Sequence, residues 1–348
     1  MSLPDNFFST VYAWGSPSDK IYGHLVFRSD GSIYGYDNDN ERAWEYINEK
    51  IVFYDHHGTI SSILTAERKN SLLFNGFFYG RRFPVFLIPL ITLEQAILPT
   101  SLTKPGVFVN TIPKSGSYYV EAALSEAGIK PSRLHLSGAD NVDDYRNLTD
   151  SEMHRNPESV RLYCRLDLVA AILNNHQAVG HITEQTIINR MHESGVTVLH
   201  LIRNLRDVIV SLYKFKLSRV DATGFLDYQW RKFNYADRFM AFLLYHHERD
   251  IKHIISIGNS IVNSNSKLIM RFEEITQSKI NEEVKNTLDG YSSDMSKKFT
   301  LALKIQLNRD NPTYSGQRTD WSEVWNESIE EYFKNSGLFE LNKRLGYL

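Results

Sequence analysis

The stretch TIPKSGSYY, residues 111–119, follows directly on the apolar run GVFVN, 106–110, and the reading of this junction decides the fold. GVFVNTI has the continuous apolar character of a strand buried on both faces, and GSYYVEAALSEAG, 116–128, has the spacing of an amphipathic helix closed by Gly128. A strand that turns into a helix through a short loop aims consecutive N–H groups and the positive end of the helix dipole at one spot, which suits a phosphate or sulfonate oxygen. Gly116 lets the backbone approach closely, Lys114 adds a full charge, and Ser115 and Ser117 add hydroxyl donors. A nucleotide loop of the Walker type needs its lysine directly after the last glycine, whereas here Lys114 precedes Gly116 by two residues, so an ordinary ATP or GTP loop fits poorly. Taken alone, the segment could equally be a lysine-bearing turn that holds nothing.

A second segment breaks that tie. VTVLHLI, 196–202, reads as another buried strand, and LHLIRNLRDVIVSLYKF, 199–215, carries Arg203 and Arg206 at its end and a helical run from Asp207 onward. Ser211 lies eight residues past Arg203, about two helical turns on, where its hydroxyl can reach a group also held by a strand-end arginine. One ligand with two anionic ends would satisfy both segments. KLIMRFEEI, 267–275, is a third strand. Strands alternating with helices imply an α/β fold, a doubly wound parallel sheet with helices on both faces and ligands at the carboxyl ends of its strands.

Together these segments resemble the sulfotransferases that use 3′-phosphoadenosine 5′-phosphosulfate (PAPS), with their P-loop-like fold. TIPKSGSYY is similar to their 5′-phosphosulfate loop, commonly T-x-P-K-S-G-T-T-W, and RNLRDVIVS, 203–211, to their 3′-phosphate element R-N-P-R-D-x-x-x-S. YSGQRTDW, 314–321, is similar to the family's R-K-G-x-x-G-D-W closing loop, so the matches run in order through roughly residues 105–325. The resemblance implies that Lys114, Ser115, Gly116, Ser117 and Tyr118 surround the 5′-phosphosulfate, that Tyr119 stands where the family has a tryptophan beside adenine, and that Arg203 and Ser211 hold the 3′-phosphate. RFEEI resembles the family's Y-E-D-L segment and brings Phe272 toward the adenine. In the closing loop Gly316 fits, Tyr314 and Ser315 replace the usual basic pair, and Arg318 is the candidate for the missing charge.

Sulfuryl transfer needs an acceptor deprotonated as it attacks and a cation to meet the charge left on the departing phosphate; no metal is required, and PAP (3′-phosphoadenosine 5′-phosphate) is the product. The family base is usually a histidine at a strand end between the two phosphate segments. HQAVGHIT, 176–183, supplies His181 there, with Val179 and Gly180 in place of the usual lysine context. Glu184 is the competing base, His176 and His200 are less favoured, and Lys114 is the partner on the leaving-group side.

Composition bounds the rest. The 348 residues suffice for one large domain and a smaller one, and 39 basic against 41 acidic residues leave a net charge of −2, which gives no field that would draw the chain to nucleic acid or a membrane. The single cysteine, Cys164, excludes an internal disulfide and reads as a small buried apolar side chain. No signal peptide is recognisable at the start, and FPVFLIPLITLEQAIL, 83–98, is too short and interrupted to span a bilayer, so a cytoplasmic location is expected.

Residues 1–98 read as a small antiparallel β-rich unit, with hairpin signals at Asp30-Gly31, Asn38-Asp39-Asn40 and His57-Gly58, and LPTSLTKPG, 98–106, as the boundary to a domain over 105–348. The unit is either a packing appendage or a recognition module that stacks sugars on Trp14, Tyr36 and Trp44. The polar stretch 137–159, with Asp140, Asp143, Asp144 and Asp150, is either a solvated face or the lining of a mouth that repels anions. Tyr213, Phe215, Tyr228 and Trp230 are either stacking surfaces or core. The expected activity is biosynthetic O-sulfation of a small molecule or carbohydrate, including specialised metabolites. N-sulfation, a P-loop kinase and a non-catalytic nucleotide-binding protein are the alternatives.

Overall fold

The structure is a computed structural model that describes residues 3–18, 20–81, 83–94, 105–138, 140–149, 152–153, 160–218, 229–307 and 321–347. The chain divides into two compact units, one of residues 1–106 with 163–176 and 190–196, the other of residues 107–162, 177–189 and 197–348.

The first unit is built on eight strands: β1 Thr10–Ser16, β2 Lys20–Phe27, β3 Ile33–Tyr34, β4 Ala43–Ile47, β5 Lys50–Tyr54, β6 Ile60–Ala66, β7 Phe74–Phe78 and β8 Pro84–Thr92. They pair antiparallel in the order β3-β2-β1-β8-β7-β6-β5-β4. The two ends of this row meet, because Ser32 bridges Ala43 and the Trp44 N–H donates to the Gly31 carbonyl at 2.9 Å. The sheet thereby closes on itself, which removes exposed edges. Alternate residues of each strand point inward, and the interior is aromatic: Phe7, Tyr12, Trp14, Phe27, Phe53 and Phe74 are fully buried. Trp14 and Trp44 therefore belong to this core, which overturns the sugar-stacking reading for both. The Trp44 indole N–H donates to the carbonyls of Arg28 and Ser32 at the seam. Tyr36 lies against Gly23, where an added Cβ would come within 2.4 Å of its ring.

Asp30-Gly31 and His57-Gly58 do turn the chain, with φ of 85° at Gly31 and 76° at Gly58. A tighter hairpin joins β4 to β5 through Asn48 and Glu49, both left-handed at 48° and 65°. That turn has no glycine to announce it. Residues 163–176 return to this unit with the helix Leu166–Ile172, where Arg165 donates to the Gly35 carbonyl at 2.8 Å. Cys164 is buried beside it, and burial pushes its thiol up to about 12.

The second unit carries a seven-stranded sheet of β9 Val107–Thr111, β10 Lys130–Ser137, β11 Asn141–Asp144, β12 Arg161–Tyr163, β13 His176–His181, β14 Thr197–Ile202 and β15 Ile269–Arg271, in the order β12-β11-β10-β13-β9-β14-β15. β13, β9, β14 and β15 are parallel neighbours, while β10 and β11 form an antiparallel pair. All five residues of β9 are buried, as expected of a central strand covered on both sides. Val107, Val109, Leu199 and Leu201 share a core with the helices Ser117–Ala127, Glu282–Asp289 and Met295–Leu307. Ile112 and Ile202 share another with the helices Leu205–Ser218, Tyr235–Tyr245, Lys252–Asn263 and Glu327–Asn335. The central parallel strands thus end together, and the turns that leave β9, β13 and β14 are brought to one edge of the sheet. Among the described residues no helix is long and apolar enough to cross a membrane.

Candidate active site

The loop after β9 contains two left-handed residues, Lys114 at φ 67° and Gly116 at φ 99°, separated by Ser115. The Ser115 N–H between them donates to the Ile112 carbonyl at 3.1 Å, which closes the turn. Gly116 is the N-cap of the helix Ser117–Ala127, and no side chain caps that terminus. Ser115 is wholly buried, and its Oγ has no hydrogen-bond partner among the described residues. A buried hydroxyl left in this state costs free energy unless something outside the chain accepts or donates to it. Ser117, by contrast, is tied to the strand end through a 2.8 Å contact between its Oγ and Thr111 Oγ1.

The next strand end closes on this loop. Arg203, just past β14 and 5% exposed, donates from Nη1 to the Lys114 carbonyl at 3.2 Å and lays its guanidinium over the Phe272 ring at 4.3 Å. The same ring passes so close to Gly116 that an added Cβ would meet it at 2.8 Å. Gly116, Phe272 and Arg203 therefore form a stack, in which the glycine is required by the ring as well as by its own φ. The Asn204 N–H donates to Glu273 at 3.0 Å and the Leu205 N–H to Asn342 at 2.8 Å, which pins the turn that carries Arg203. Lys114 Nζ sits 4.0 Å above the Phe215 ring.

Arg206 goes elsewhere. It bonds both oxygens of Glu330 at 3.0 and 3.2 Å and lies over Phe333 at 4.6 Å, so of the two arginines only Arg203 faces the loop. Ser211 is half-buried on the helix Leu205–Ser218. Tyr119 is buried with its hydroxyl 2.7 Å from the Leu303 carbonyl and its ring edge toward Phe272. Tyr118 is hydrogen-bonded to Tyr145, and burial raises its phenol above the ordinary range. Tyr213 and Trp230 are core. Gly316 and Arg318, with Tyr314 and Ser315, lie outside the described residues, as do Tyr228 and Asp150.

His181 ends β13 beside this loop. Its Nδ1 lies 2.7 Å from the Thr111 carbonyl and 3.1 Å from Thr111 Oγ1. A carbonyl only accepts, so Nδ1 carries the proton and Nε2 keeps its lone pair. Burial, then the neighbouring His135, hold the His181 imidazole well below the usual histidine range. Two features that sequence reading missed fix its position. The buried Asn110 amide donates to the Ile182 carbonyl at 3.0 Å and accepts from the Ile182 N–H at 2.9 Å, which clamps the residue after His181 to β9. Gly180, just before it, lies so near β10 that a Cβ would meet the Leu136 carbonyl oxygen at 2.0 Å. His176 and His200 are buried on the strands β13 and β14. Glu184 is half-buried and accepts from the Thr183 N–H at 3.3 Å.

His135 and His253 were also missed. The His135 ring stands edge-on to His181 with centroids 4.8 Å apart, and His253 lies 6.3 Å from His181 at 90°. Nothing in RLHLSG or DIKHII distinguishes these from ordinary strand and helix histidines. Of the polar stretch, Asp143 is buried and bonds Arg161 at 2.9 and 3.3 Å, while Asp144 bonds Arg146 at 2.6 Å. These two carboxylates are matched by arginines rather than presented as a bare acidic face. Among the described residues no group of three or more His, Cys, Asp or Glu is arranged to hold a metal ion.

The α/β unit thus brings to one edge of its sheet the Lys114 loop, the stacked Arg203 and, at the next strand end, the imidazole of His181. The family model described as "Sulfotransferase domain" matches residues 104–335. The chain belongs to the sulfotransferase family, and it is by that membership an enzyme. No curated protein matches it in sequence. Among solved structures it is similar to a mouse sulfotransferase complexed with PAP, at 13% identity over 67% of this chain and 82% of that one with a TM-score of 0.37. It is also similar to a retinol dehydratase in complex with androsterone and PAP, at 13% identity over 68% and 82% with a TM-score of 0.38. Both likenesses are low, and the family assignment rests on the domain match.

Proposed function

We propose that this enzyme transfers the sulfuryl group of PAPS to a hydroxyl of a small molecule or sugar. The observation that carries the reading is the buried, unpartnered Ser115 hydroxyl set between two left-handed residues at a strand end. That arrangement fits a tetrahedral anion, which supports PAPS as the group the loop takes. In this reading Lys114, Ser115, Gly116, Ser117 and Tyr118 hold the 5′-phosphosulfate, Arg203 and Ser211 the 3′-phosphate, and Phe272 and Tyr119 border the adenine. Gly316 and Arg318 are proposed for the closing segment. The parallel pairing of β13, β9, β14 and β15, with one helix cluster built on Val107 and Leu201 and another on Ile112 and Ile202, supports the doubly wound reading of the sheet.

PAPS, when bound, supplies a sulfuryl group already activated by its anhydride bond to phosphate. The chain contributes the rest. His181, with Nδ1–H committed to Thr111, offers Nε2 to take the proton of the acceptor hydroxyl. A depressed imidazole is unprotonated at neutral pH and therefore ready to act as base. Lys114 keeps a cation beside the loop where negative charge collects, and Phe215 holds that cation in place. Purified chain incubated with PAPS and a panel of alcohols, phenols, amines and sugars, with and without EDTA, tests the reading. O-sulfated product that survives EDTA supports it, while phosphorylated product from ATP, or no turnover with any acceptor, counts against it.

A further inference from the structure

His181 is one of three imidazoles gathered at the end of β10 and β13. His135 projects from β10, His181 ends β13, and His253 opens the helix Lys252–Asn263, two residues past the π-helical turn His247–Ile251. Insertions of that kind rotate the residues after them and recur at functional sites. The three rings do not face equivalent surroundings.

His135 is enclosed. Its side chain is 12% exposed, its Nδ1 has no hydrogen-bond partner among the described residues, and Asp143 stands 3.9 Å away with both oxygens already engaged by Arg161. It cannot easily take a proton. His253 differs: it is half-buried, and although burial lowers its imidazole below the usual histidine range, the carboxylates of Asp250 and then Glu184 offset part of that shift. Asp250 is itself occupied by His246 at 2.5 Å and Arg249 at 3.2 Å, which leaves Glu184 as the less encumbered of the two. Burial, then His135, His253 and Lys114, oppose charge on His181, and among the described residues no carboxylate counters them. The carboxylate near His135 is already held by Arg161, whereas His253 has two acidic neighbours, and it stands perpendicular to His181 at a separation that one water molecule can bridge.

We propose that His253 is a positioning residue of this site: it takes over the proton that His181 collects, so that the two imidazoles, with Glu184 beside them, act as one base. The inference rests on the proposal that His181 is the base. The balance is simple. His181 Nε2 gains the acceptor proton and becomes a cation, that proton passes from Nε2 through water to a ring nitrogen of His253, His181 returns to its Nδ1–H form, and His253 releases the proton to solvent beside Glu184. No electrons change hands. Glu184, the competing base at the level of sequence, joins Asp250 in favouring a proton on His253.

The test is imidazole ¹⁵N NMR on the full chain without nucleotide or acceptor, following His135, His181 and His253 between pH 4 and 8.5. Interacting groups titrate as a pair. The expected result is that His253 protonates before His181, that His253→Phe raises the proton affinity of His181 about tenfold, and that Glu184→Gln lowers that of His253. His253→Gln serves as a second variant should the Phe form not fold. Independent titration curves for the two rings, unchanged by either substitution, overturn the proposal. The base assignment is read separately: a His181→Ala enzyme that still turns over with full rate removes the base reading, whereas an inactive one combined with unlinked titrations removes only the role of His253.

Discussion

The Nδ1 of His181 lies 2.7 Å from the carbonyl oxygen of Thr111, the last residue of the strand that leads into the Lys114 loop. One hydrogen bond thus fixes the tautomer of the imidazole and ties it to the strand whose next residues form the Lys114 loop. A shift of β9 would move both together.

From this tie, His181→Ala is expected to cut kcat by about 10²- to 10⁴-fold, the usual worth of a positioned acid or base, and to leave PAP affinity within twofold. Because the imidazole is held well below 6.5, kcat/KM should stay level from pH 8 down through 6.5 and fall only at lower pH. Steady-state rates across pH on the wild type and calorimetry on the variant check both statements.

Two buried groups give opposite pH dependences of stability. Burial lowers His135 to about 4 from 6.5, so the unfolded chain binds more protons and stability is lost as pH falls from 6.5 toward 4. The loss is on the order of 3 kcal/mol, and His135→Gln should make the fall shallower. In the β-rich unit, burial raises Glu41 to about 7 from 4.5, so its contribution is whole below 4.5 and is lost as pH rises through 7. Glu41→Gln should therefore gain stability at pH 8 relative to wild type. Urea midpoints at pH 4.5, 6.5 and 8 decide both.

Ser115→Ala should separate folding from binding. Removing a buried hydroxyl that lacks a partner leaves the thermal midpoint unchanged or slightly higher. A hydrogen bond to a charged group contributes about 1.5–3 kcal/mol, so affinity for PAP or PAPS should drop roughly tenfold to a hundredfold. Loss of stability with unchanged affinity would reverse the assignment.

The two arginines of RNLR predict different phenotypes. Arg203→Ala should weaken PAP binding at least tenfold with little change in Tm. Arg206→Ala removes the guanidinium partner of Glu330 and empties the space beside Phe333, and should destabilise by about 2 kcal/mol while sparing affinity in the folded fraction. Parallel thermal melts and titrations on the two variants distinguish them.

How much of this was legible in the sequence depends on the range of the interactions. The strand-loop-helix junction could be read because its signals are local: an apolar run, then Lys114 and Gly116, then helical spacing closed by Gly128. The hairpins with glycine could be read for the same reason, while Asn48-Glu49 could not, since the glutamate after the asparagine does not advertise a left-handed turn. Trp14 and Trp44 were ambiguous because alternation along a strand does not say which face is inside. Asn110, His135 and His253 were invisible as site residues because each acts on a group 72, 46 or 72 positions away in the chain, through pairings that only the fold creates. Arg203 and Arg206 are divided in the fold by contacts far downstream, Phe272 for the first and Glu330 for the second.

The two strand ends are predicted to bind one nucleotide between them. Isothermal titration of PAP into the full chain measures this directly, with Ser115→Ala and Arg203→Ala alongside. The predicted result is saturable binding at one site per chain, weakened at least tenfold by each substitution. No heat and no protection against thermal unfolding at millimolar PAP, or binding that both variants retain unchanged, would contradict it.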